Sequence, residues 1–446
     1  MNSAGILVAL ALAAAALWAL TRFWRVIAVG SAYKAKVLAS LVFGSGRAID
    51  LSRAPEVTAD SYRVMRLLSA RADPESSSIT VSFLGLRPRT AVYYSGLGAT
   101  LIRGGVRPPV RTISAPRENN RPWPARQPTT RVADFLDRIF SEPDPRRLRR
   151  TRAVVIVHDG QIVGERYADG FSEHTRLPGW SMTKSVLSAL IGVLAAEGRV
   201  APKHRELLPE WRPPDPRAAI TLEDLLRMRS GLRFSEVYED LSSDVIEMLF
   251  NRADAAGYAA GRPLDAPPGT TWSYSSGSTN ILSRIARTIV GEEHYAGWPR
   301  RALFDRIGMS SAMMERDGSG TFVGSSFMLA TARDWARFGQ LYLQDGVWEG
   351  TRVLPDGWVR FSTTPTPESP GAVYGAHWWL KLKPEIGGGT APAARIPADA
   401  YFAIGHEGQT LTIIPSRGVV VVRLGLSIYI DAWNQAAFVS ELLEAL

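Results

Sequence analysis

The chain of 446 residues is 46% hydrophobic and carries a formal net charge of +9, with no cysteine. The length allows two or three packed units with sizeable cores, and the lack of cysteine excludes a catalytic thiol and thiolate metal ligands. The arginines are spread along the whole chain, apart from one cluster at 146–152, and no nucleic-acid-binding motif accompanies them. A solvated face or attraction to anionic lipid accounts for the charge, so we expect no nucleic-acid partner.

The first predicted element is an uninterrupted apolar stretch from Gly5 to Leu20, followed by the basic segment Thr21–Arg25. Such a stretch is typical of a signal peptide or a short membrane anchor, which we assign to residues 1–30. Because no cysteine follows it, a lipoprotein anchor is excluded. The basic residues come after the apolar stretch, and by the positive-inside tendency this order would keep the rest of the chain in the cytoplasm.

Residues 31–130 are predicted to form a small N-terminal lobe and a linker. The segments 78–83 and 89–94 have the β-branched and aromatic composition of short strands. Proline and arginine crowd the segment from Arg107 to Thr130, a composition typical of a linker that wraps the surface of the next domain.

Residues 131–446 are predicted to form one large domain. It opens with a hairpin over 153–167 that has Asp-Gly at its turn, and near the C-terminus the segments 411–414 and 419–424 have the pattern of a second strand pair. Helical segments lie between these pairs, and a last helix is predicted over 431–446. Strands at both ends with helices between them predict an α+β domain, whose sheet is built from distant segments and interrupted by an inserted helical domain.

A Ser-x-x-Lys motif places Ser181 and Lys184 at the start of an apolar helix that ends at Gly198. Residues three apart on a helix lie on the same face, so the lysine amine can take the proton of the serine hydroxyl and activate it as a nucleophile. This requires a lowered lysine pKa near neutral pH, so we expect Lys184 to be enclosed. A second copy, Ser31 and Lys34, lies in a region unsuited to an active site.

Two further segments carry candidate site residues. A proline-glycine turn leads into Tyr274, which can act as an acid or a base if a neighbouring lysine cation favours its phenolate, or can anchor a loop through its hydroxyl. Near the C-terminus, Gly408 would let a substrate approach a strand edge closely. A backbone N–H near Gln409 would complete an oxyanion hole with that of Ser181.

From about Ala153 to its C-terminus the chain resembles the serine β-lactamase-like superfamily, in the branch related to class C β-lactamases. That branch also contains D-alanyl carboxypeptidases, family VIII esterases and 6-aminohexanoate-dimer hydrolases. The resemblance rests on blocks in the expected order, which are Ser181–Lys184, Asp224–Leu232, Pro268–Ser275, Thr331–Gly339 and Gly405–Gly408. It implies the β-lactamase/transpeptidase-like fold, in which helices flank an antiparallel sheet.

The resemblance also implies roles for single residues. Ser181 is then the acylated nucleophile, Lys184 its base partner and Tyr274 the second acid/base. The segment His406-x-Gly408 stands where Lys-Thr-Gly stands in the β-lactamases.

Two departures from the β-lactamases bear on the substrate. Ser276 stands where they have an asparagine, so the amide that would hold an acylamino group is absent, and His406 attracts a carboxylate less than a lysine would. Both changes favour amides or esters of small acids. Tyr238 lies in a segment similar to the one that supplies a substrate-contacting tyrosine in 6-aminohexanoate-dimer hydrolases, although it can equally be a solvated loop residue. We expect the substrate-binding residues to be Tyr238, His406, Gly408 and Gln409.

We expect neither a cofactor nor a metal ion, because the six histidines are scattered and no nucleotide fingerprint follows a strand. A serine hydrolase acting on small amides or esters is the leading function. The alternatives are a D-alanyl carboxypeptidase or penicillin-binding protein and a non-catalytic, membrane-tethered binding module. Specificity would depend on the loops 235–244 and 365–398. The resemblance favours export, so we expect a membrane-anchored protein with its large domain on the periplasmic side.

Overall fold

The computed structural model describes residues 3–109, 113, 123–382 and 396–446. Half of the predicted linker from Arg107 to Thr130, and part of the loop 365–398, lie outside the described residues.

The chain begins with one long helix, α1 (Ser3–Ala39), which continues as a π-helical turn over Ser40–Gly44. It is rich in alanine and leucine, which have high helix propensity. Its side chains at Leu7 and from 10 to 23 are exposed, whereas most of those after residue 26 are buried. By length and composition it is the one described helix that can cross a membrane, a property that core helices and signal sequences share.

An N-terminal lobe packs around the second half of α1. It contains a short helix α2 (Pro55–Thr58), a 3-10 turn (Asp60–Leu67) and a four-stranded antiparallel meander of β1 (Ser69–Asp73), β2 (Ser78–Phe83), β3 (Leu86–Tyr94) and β4 (Gly98–Ile102). The buried side chains of the lobe alternate with more exposed ones along β2, and α1 lies across β2 and β3. The predicted strand 78–83 is therefore confirmed.

Buried charges fasten this lobe to the rest of the chain. Three ion pairs cross the boundary and have little exposed side-chain surface: Lys36–Glu315, Glu56–Arg152 and Asp60–Arg150. One continuous hydrophobic core also contains side chains from α1, the lobe and the larger domain. The N-terminal lobe is thus an integral part of one packed body.

The larger domain contains the remaining helices and strands. In chain order they are α3 (Thr130–Phe140), β5 (Thr151–His158), β6 (Gln161–Tyr167), β7 (Leu177–Pro178), α4 (Thr183–Ala196), α5 (Leu222–Leu226), α6 (Asp244–Asn251), α7 (Ala255–Ala260), α8 (Ser276–Val290), α9 (Glu292–Tyr295), β8 (Met313–Met314), β9 (Met328–Ala330), α10 (Ala332–Leu343), β10 (Val347–Trp348), β11 (Thr351–Arg352), α11 (Trp358–Thr363), β12 (Tyr401–Gly405), β13 (Gln409–Ile414), β14 (Val419–Gly425) and α12 (Gln435–Ala445).

Its main sheet has five antiparallel strands in the order β12-β13-β14-β5-β6. The first and the last parts of the domain therefore pair in the middle of the sheet. The strands β13 and β14 are buried along their whole length because both faces are covered, by α10 on one side and by α3 and α12 on the other. This antiparallel sheet, flanked by helices and interrupted by the helical segments between β6 and β12, confirms the predicted α+β fold.

Candidate active site

Ser181 lies in a 3-10 turn (Trp180–Met182) that leads directly into α4. Its neighbour Trp180 has φ of 48°, a left-handed conformation that side chains rarely adopt. The turn therefore presents Ser181 at the N-terminal end of a buried helix, where unpaired N–H groups favour negative charge. Ser181 itself is partly exposed, so a substrate can reach its hydroxyl.

Lys184 is buried, and its ammonium group has three hydrogen-bond acceptors. Nζ donates to Ser181 Oγ at 3.0 Å, to Ser276 Oγ at 3.1 Å and to the carbonyl oxygen of Ser325 at 2.9 Å. Burial lowers the pKa of Lys184 to about 8, although the carboxylate of Glu236 acts in the opposite direction. The enclosure expected for this lysine is thus present, and an appreciable fraction of it is a neutral amine near pH 8.

The second Ser-x-x-Lys copy has a different arrangement. Lys34 Nζ donates to the carbonyl oxygens of Met65 and Leu68, at 3.0 and 2.8 Å, and these bonds join α1 to the N-terminal lobe. The Ser31 hydroxyl is buried and has no hydrogen-bond partner among the described residues. The motif alone therefore does not produce a serine–lysine pair, and only the copy at Ser181 has one.

Glu236 and Ser276 extend the pair into a network that the sequence did not predict. Ser276 begins α8, and both its backbone N–H (2.9 Å) and its hydroxyl donate to the carboxylate of Glu236. Burial raises the pKa of Glu236, and the cation of Lys184 opposes this rise. The signal in the sequence was Ser276 itself, at the position of the missing asparagine, because its hydroxyl contacts Lys184.

Tyr274 lies beside this network and is fixed by aromatic contacts. Its ring stacks on Trp379, with centroids 5.4 Å apart and an angle of 26° between planes, and Lys184 Nζ lies 4.9 Å from its ring centroid. Burial and the nearby Glu236 raise the pKa of Tyr274 above its usual value, while a hydrogen bond with Ser181 opposes the rise. The raised pKa keeps the phenol neutral at pH 7. The sequence left two roles open for Tyr274, an acid or base whose phenolate a lysine cation favours, and a hydroxyl that anchors a loop.

Tyr238 and His406 are exposed side chains beside the partly exposed Ser181. We call the surface between them and Ser181 the cleft, and these two residues its rim. Their rings stack with centroids 5.9 Å apart and 12° between planes, and the Tyr238 hydroxyl donates to Glu236 at 3.2 Å. The N-terminal lobe contributes to this rim as well, since the Tyr62 hydroxyl lies 2.9 Å from His406 Nε2. The structure thus brings both predicted rim residues to the site and adds Tyr62, for which the sequence gave no signal.

Gly408 and Gln409 shape the backbone at the start of β13. Gly408 has φ of 79°, and a Cβ on it would lie 2.5 Å from a guanidinium nitrogen of Arg423. The buried Gln409 side chain donates to the carbonyl oxygens of His406 and Gly425, at 3.1 and 2.8 Å. Both residues therefore stabilise the turn between β12 and β13. The backbone of β13 runs beside the Trp180–Met182 turn.

Close backbone contact and a buried carboxylate hold the nucleophile turn against β12. A Cβ on Gly405 would lie 2.2 Å from the carbonyl oxygen of Gly179, so only glycine fits there. Glu407 accepts hydrogen bonds from Trp180 Nε1 at 3.1 Å and from the hydroxyl of Tyr62 at 3.1 Å. The ring of Tyr33, from α1, stacks parallel to that of Trp180. The N-terminal elements thus support the turn that carries Ser181.

Among the residues that the structure describes, no group of three histidine, aspartate or glutamate side chains is placed to hold a metal ion.

A comparison with known protein families shows to which family the chain belongs. The Beta-lactamase family model matches residues 136–425, from α3 to the end of β14. The chain belongs to the beta-lactamase family. The N-terminal helix and lobe lie outside this match, although Tyr62 and Tyr33 from them contact the cleft of the family domain.

The proteins that are similar to this chain are named after different hydrolase activities. A 6-aminohexanoate-dimer hydrolase of Paenarthrobacter ureafaciens is 26% identical over 302 residues, which are 61% of this chain and 72% of that protein. A Bacillus anthracis structure assigned as a 6-aminohexanoate-dimer hydrolase aligns with a TM-score of 0.57 and 23% identity, over 75% of this chain and 89% of that one. A family VIII carboxylesterase aligns with a TM-score of 0.52 and 15% identity, over 71% and 97%. The two aligned structures have the same fold as this beta-lactamase-family protein.

Proposed function

We propose that this beta-lactamase-family protein is a serine hydrolase that cleaves amide or ester bonds of small substrates through an acyl-enzyme on Ser181. The observation that carries the proposal is the hydrogen bond of 3.0 Å between Lys184 Nζ and Ser181 Oγ, made by a buried lysine whose pKa is lowered to about 8. A neutral amine at this distance is a base for the serine proton.

The proposed reaction has two steps. Lys184 takes the proton of Ser181, whose oxygen bonds to the substrate acyl carbon, while the neutral phenol of Tyr274 donates a proton to the leaving amine or alcohol. Backbone N–H groups of Ser181 and Gln409 would stabilise the negative charge on the acyl oxygen. A water molecule then attacks the ester of the acyl-enzyme and gives a proton to the Tyr274 phenolate, Lys184 returns the proton to Ser181, and the acid leaves.

Small amides are the substrates we favour. The similarity to a 6-aminohexanoate-dimer hydrolase extends over 302 residues, and Tyr238 stands at the rim where a substrate would pass. Esters remain the second class because the cleft needs no further group to release an alcohol, a better leaving group than an amine. Tyr238, His406 and the backbone at Gly408 and Gln409 would contact the substrate.

We also propose that the first half of α1 anchors the protein in a membrane, with the larger domain on the periplasmic side. The support is the exposed apolar surface of that half, which a soluble helix would bury. In this proposal residues 1–30 are an anchor, residues 31–130 a lobe and linker, and residues 131–446 the catalytic domain.

Covalent labelling of the full-length protein with a fluorophosphonate, followed by intact mass, tests the proposed nucleophile. We expect one adduct on the wild type, none on Ser181→Ala, and strongly slowed labelling of Lys184→Ala. The matched control is Ser31→Ala, from the second motif copy, which should label like the wild type. An adduct that persists on Ser181→Ala would refute the assignment. No adduct on folded wild-type protein would favour a non-catalytic binding module.

A further inference from the structure

The first half of α1 has the dimensions of a membrane span. Leu7 and all residues from 10 to 23 are exposed, and no charged residue precedes Arg22. At about 1.5 Å of rise per residue, the stretch from Ser3 to Phe23 is roughly 30 Å long, which matches the hydrocarbon thickness of a bilayer. A helix that is apolar on every side and has no protein around it needs a lipid environment.

Aromatic and arginine side chains surround the point where this span meets the protein. The rings of Phe23, Trp24 and Phe83 pack edge to face, and Arg87 lies over Trp24 at 5.1 Å. Tryptophan, phenylalanine and arginine with this placement are typical of the boundary between the acyl chains and the headgroups. The boundary would therefore lie at the level of Phe23.

Exposed leucines lie at the same level, beside the span. Leu84 is 79% exposed and lies in the turn after Phe83, and Leu86 is 53% exposed and begins β3. Turns of this kind are usually polar, and two large apolar side chains cost free energy in water. Their position next to the aromatic cluster indicates that the turn contacts lipid.

The loop that carries the cleft rim lies on this side of the protein too. Hydrogen bonds from Ser242 lower the pKa of Asp240, and the guanidinium groups of Arg25 and Arg22 lower it further. The loop before α6 therefore faces the base of the span, and α6 itself packs on α1. Val237, which is 50% exposed, precedes the rim residue in this loop.

The height of the cleft above the membrane is fixed by the fold. The helix α1 continues from its exposed half into the core without a break, and the buried pair Lys36–Glu315 and the bonds of Lys34 hold its second half. A domain joined in this way cannot move away from the bilayer as a domain on a flexible linker does.

We infer that the base surface, formed by Leu84, Leu86 and Val237 around the exposed half of α1, sits in the membrane interface and opens the cleft at the bilayer surface. The occupant of this surface is lipid, and the net charge of +9 favours anionic headgroups. Resting on the proposed function, this assigns a substrate class: amphiphilic amides or esters whose apolar part stays in the membrane while the acyl group reaches Ser181.

The lack of cysteine allows a direct test of depth. Single variants Leu84→Cys, Leu86→Cys and Val237→Cys of the full-length protein carry a nitroxide label in vesicles of phosphatidylcholine and phosphatidylglycerol. We expect high collision rates with oxygen and low rates with a water-soluble nickel complex. The control Arg417→Cys lies on the exposed turn between β13 and β14, at the end of the sheet away from His406, and should show the reverse. Labels at 84 and 86 that match the control would overturn the inference.

A second measurement separates this inference from the proposed hydrolase activity. In Leu84→Asp/Leu86→Asp, fluorophosphonate labelling and hydrolysis of a short soluble ester should be unchanged, whereas hydrolysis of a long-chain ester in vesicles should fall about tenfold or more. Equal rates on the long-chain ester would refute the substrate class. Lipid-facing labels in a wild type inactive on both esters would leave the base surface intact and refute the hydrolase.

Discussion

The amine of Lys184 sets the pH range in which the proposed mechanism operates. The group is a base only when neutral, and its pKa is lowered to about 8, so the neutral form increases as pH rises through that value. We expect kcat/KM to rise from pH 6 to pH 9 with a midpoint near 8. A profile of kcat/KM on a soluble ester measures this midpoint, and an ester that is stable at pH 9 excludes background hydrolysis.

Glu236 provides a sharper test of the same network. Its negative charge raises the pKa of Lys184 against the effect of burial, so Glu236→Gln should move the midpoint of the pH profile below that of the wild type. The glutamine keeps one oxygen for the backbone N–H of Ser276, and the N-cap of α8, Ser275, is unchanged. A midpoint that stays in place, in a variant with unchanged thermal stability, would contradict the coupling of these two groups.

Tyr274→Phe removes the proposed proton donor and keeps the ring that stacks on Trp379. A general acid contributes about 10²–10⁴-fold, and an amine leaves only with a proton. We therefore expect kcat to fall by about this factor on an amide and less on an ester with the same acyl group. Equal losses on both substrates would indicate that Tyr274 positions Ser181 instead of donating a proton.

For single residues, the sequence predicted the contacts that follow from local spacing along the chain. Ser181 and Lys184 lie one helical turn apart, so their contact followed from the helix alone. Tyr274 was a candidate because of the proline-glycine turn before it, and the resemblance implied its role as the second acid/base. Glu236 was missed because it belongs to a loop whose path depends on packing against α8, and no periodicity in the sequence describes such a path.

Among the secondary-structure elements, the 3-10 turn of the N-terminal lobe has an unexpected place beside the cleft. Tyr62, on this turn, bonds to both His406 and Glu407, and so connects the lobe to the rim and to the support of Trp180. The lobe therefore shapes the cleft of a domain whose family match begins only at residue 136.

Tyr62→Phe should loosen His406 without touching the serine–lysine pair. We expect KM to increase a few-fold, about 1 kcal/mol for one lost hydrogen bond, with kcat little changed. Tyr93→Phe is the matched control, because within the described part of the chain that hydroxyl bonds to the sulfur of Met313 alone, at 3.9 Å. A change in kcat alone would mean that Tyr62 acts through Glu407 and the nucleophile turn.

The sequence located elements with strong patterns and missed those that depend on tertiary contacts. The strands β2, β5, β6, β13 and β14 were predicted from apolar and β-branched runs. The edge strand β12 was not, because its pairing with β13 needs the tight turn at Gly405–Gly408. Helix α1 continues past residue 30, where the predicted anchor ended, because the lobe buries its second half.

For the whole molecule, the buried pair Lys36–Glu315 is the strongest charged link between α1 and the larger domain. Its side chains are only 4% and 3% exposed, and Glu315 also accepts bonds from Ser40 and the backbone of Ala99. Lys36→Met leaves a buried carboxylate without its cation, which costs about 3–5 kcal/mol. We expect a lower urea midpoint for the full-length protein in detergent.

Two further variants make this measurement specific. Lys36→Met/Glu315→Gln should recover part of the loss, since no unpaired charge remains. Arg53→Met breaks the exposed pair with Asp50 and should leave the urea midpoint almost unchanged. If Lys36→Met were as mild as Arg53→Met, the N-terminal helix would be held by apolar packing alone.

The order of strands in the main sheet has a consequence for the biogenesis of the protein. Strand β5 pairs with β14, which the ribosome makes almost last, so the centre of the sheet stays open until nearly the whole chain has been synthesised. Pairing over such a separation is slow, and the waiting chain exposes apolar strands that can aggregate. An anchor at the N-terminus would hold each nascent chain on the membrane, apart from its neighbours, during this interval.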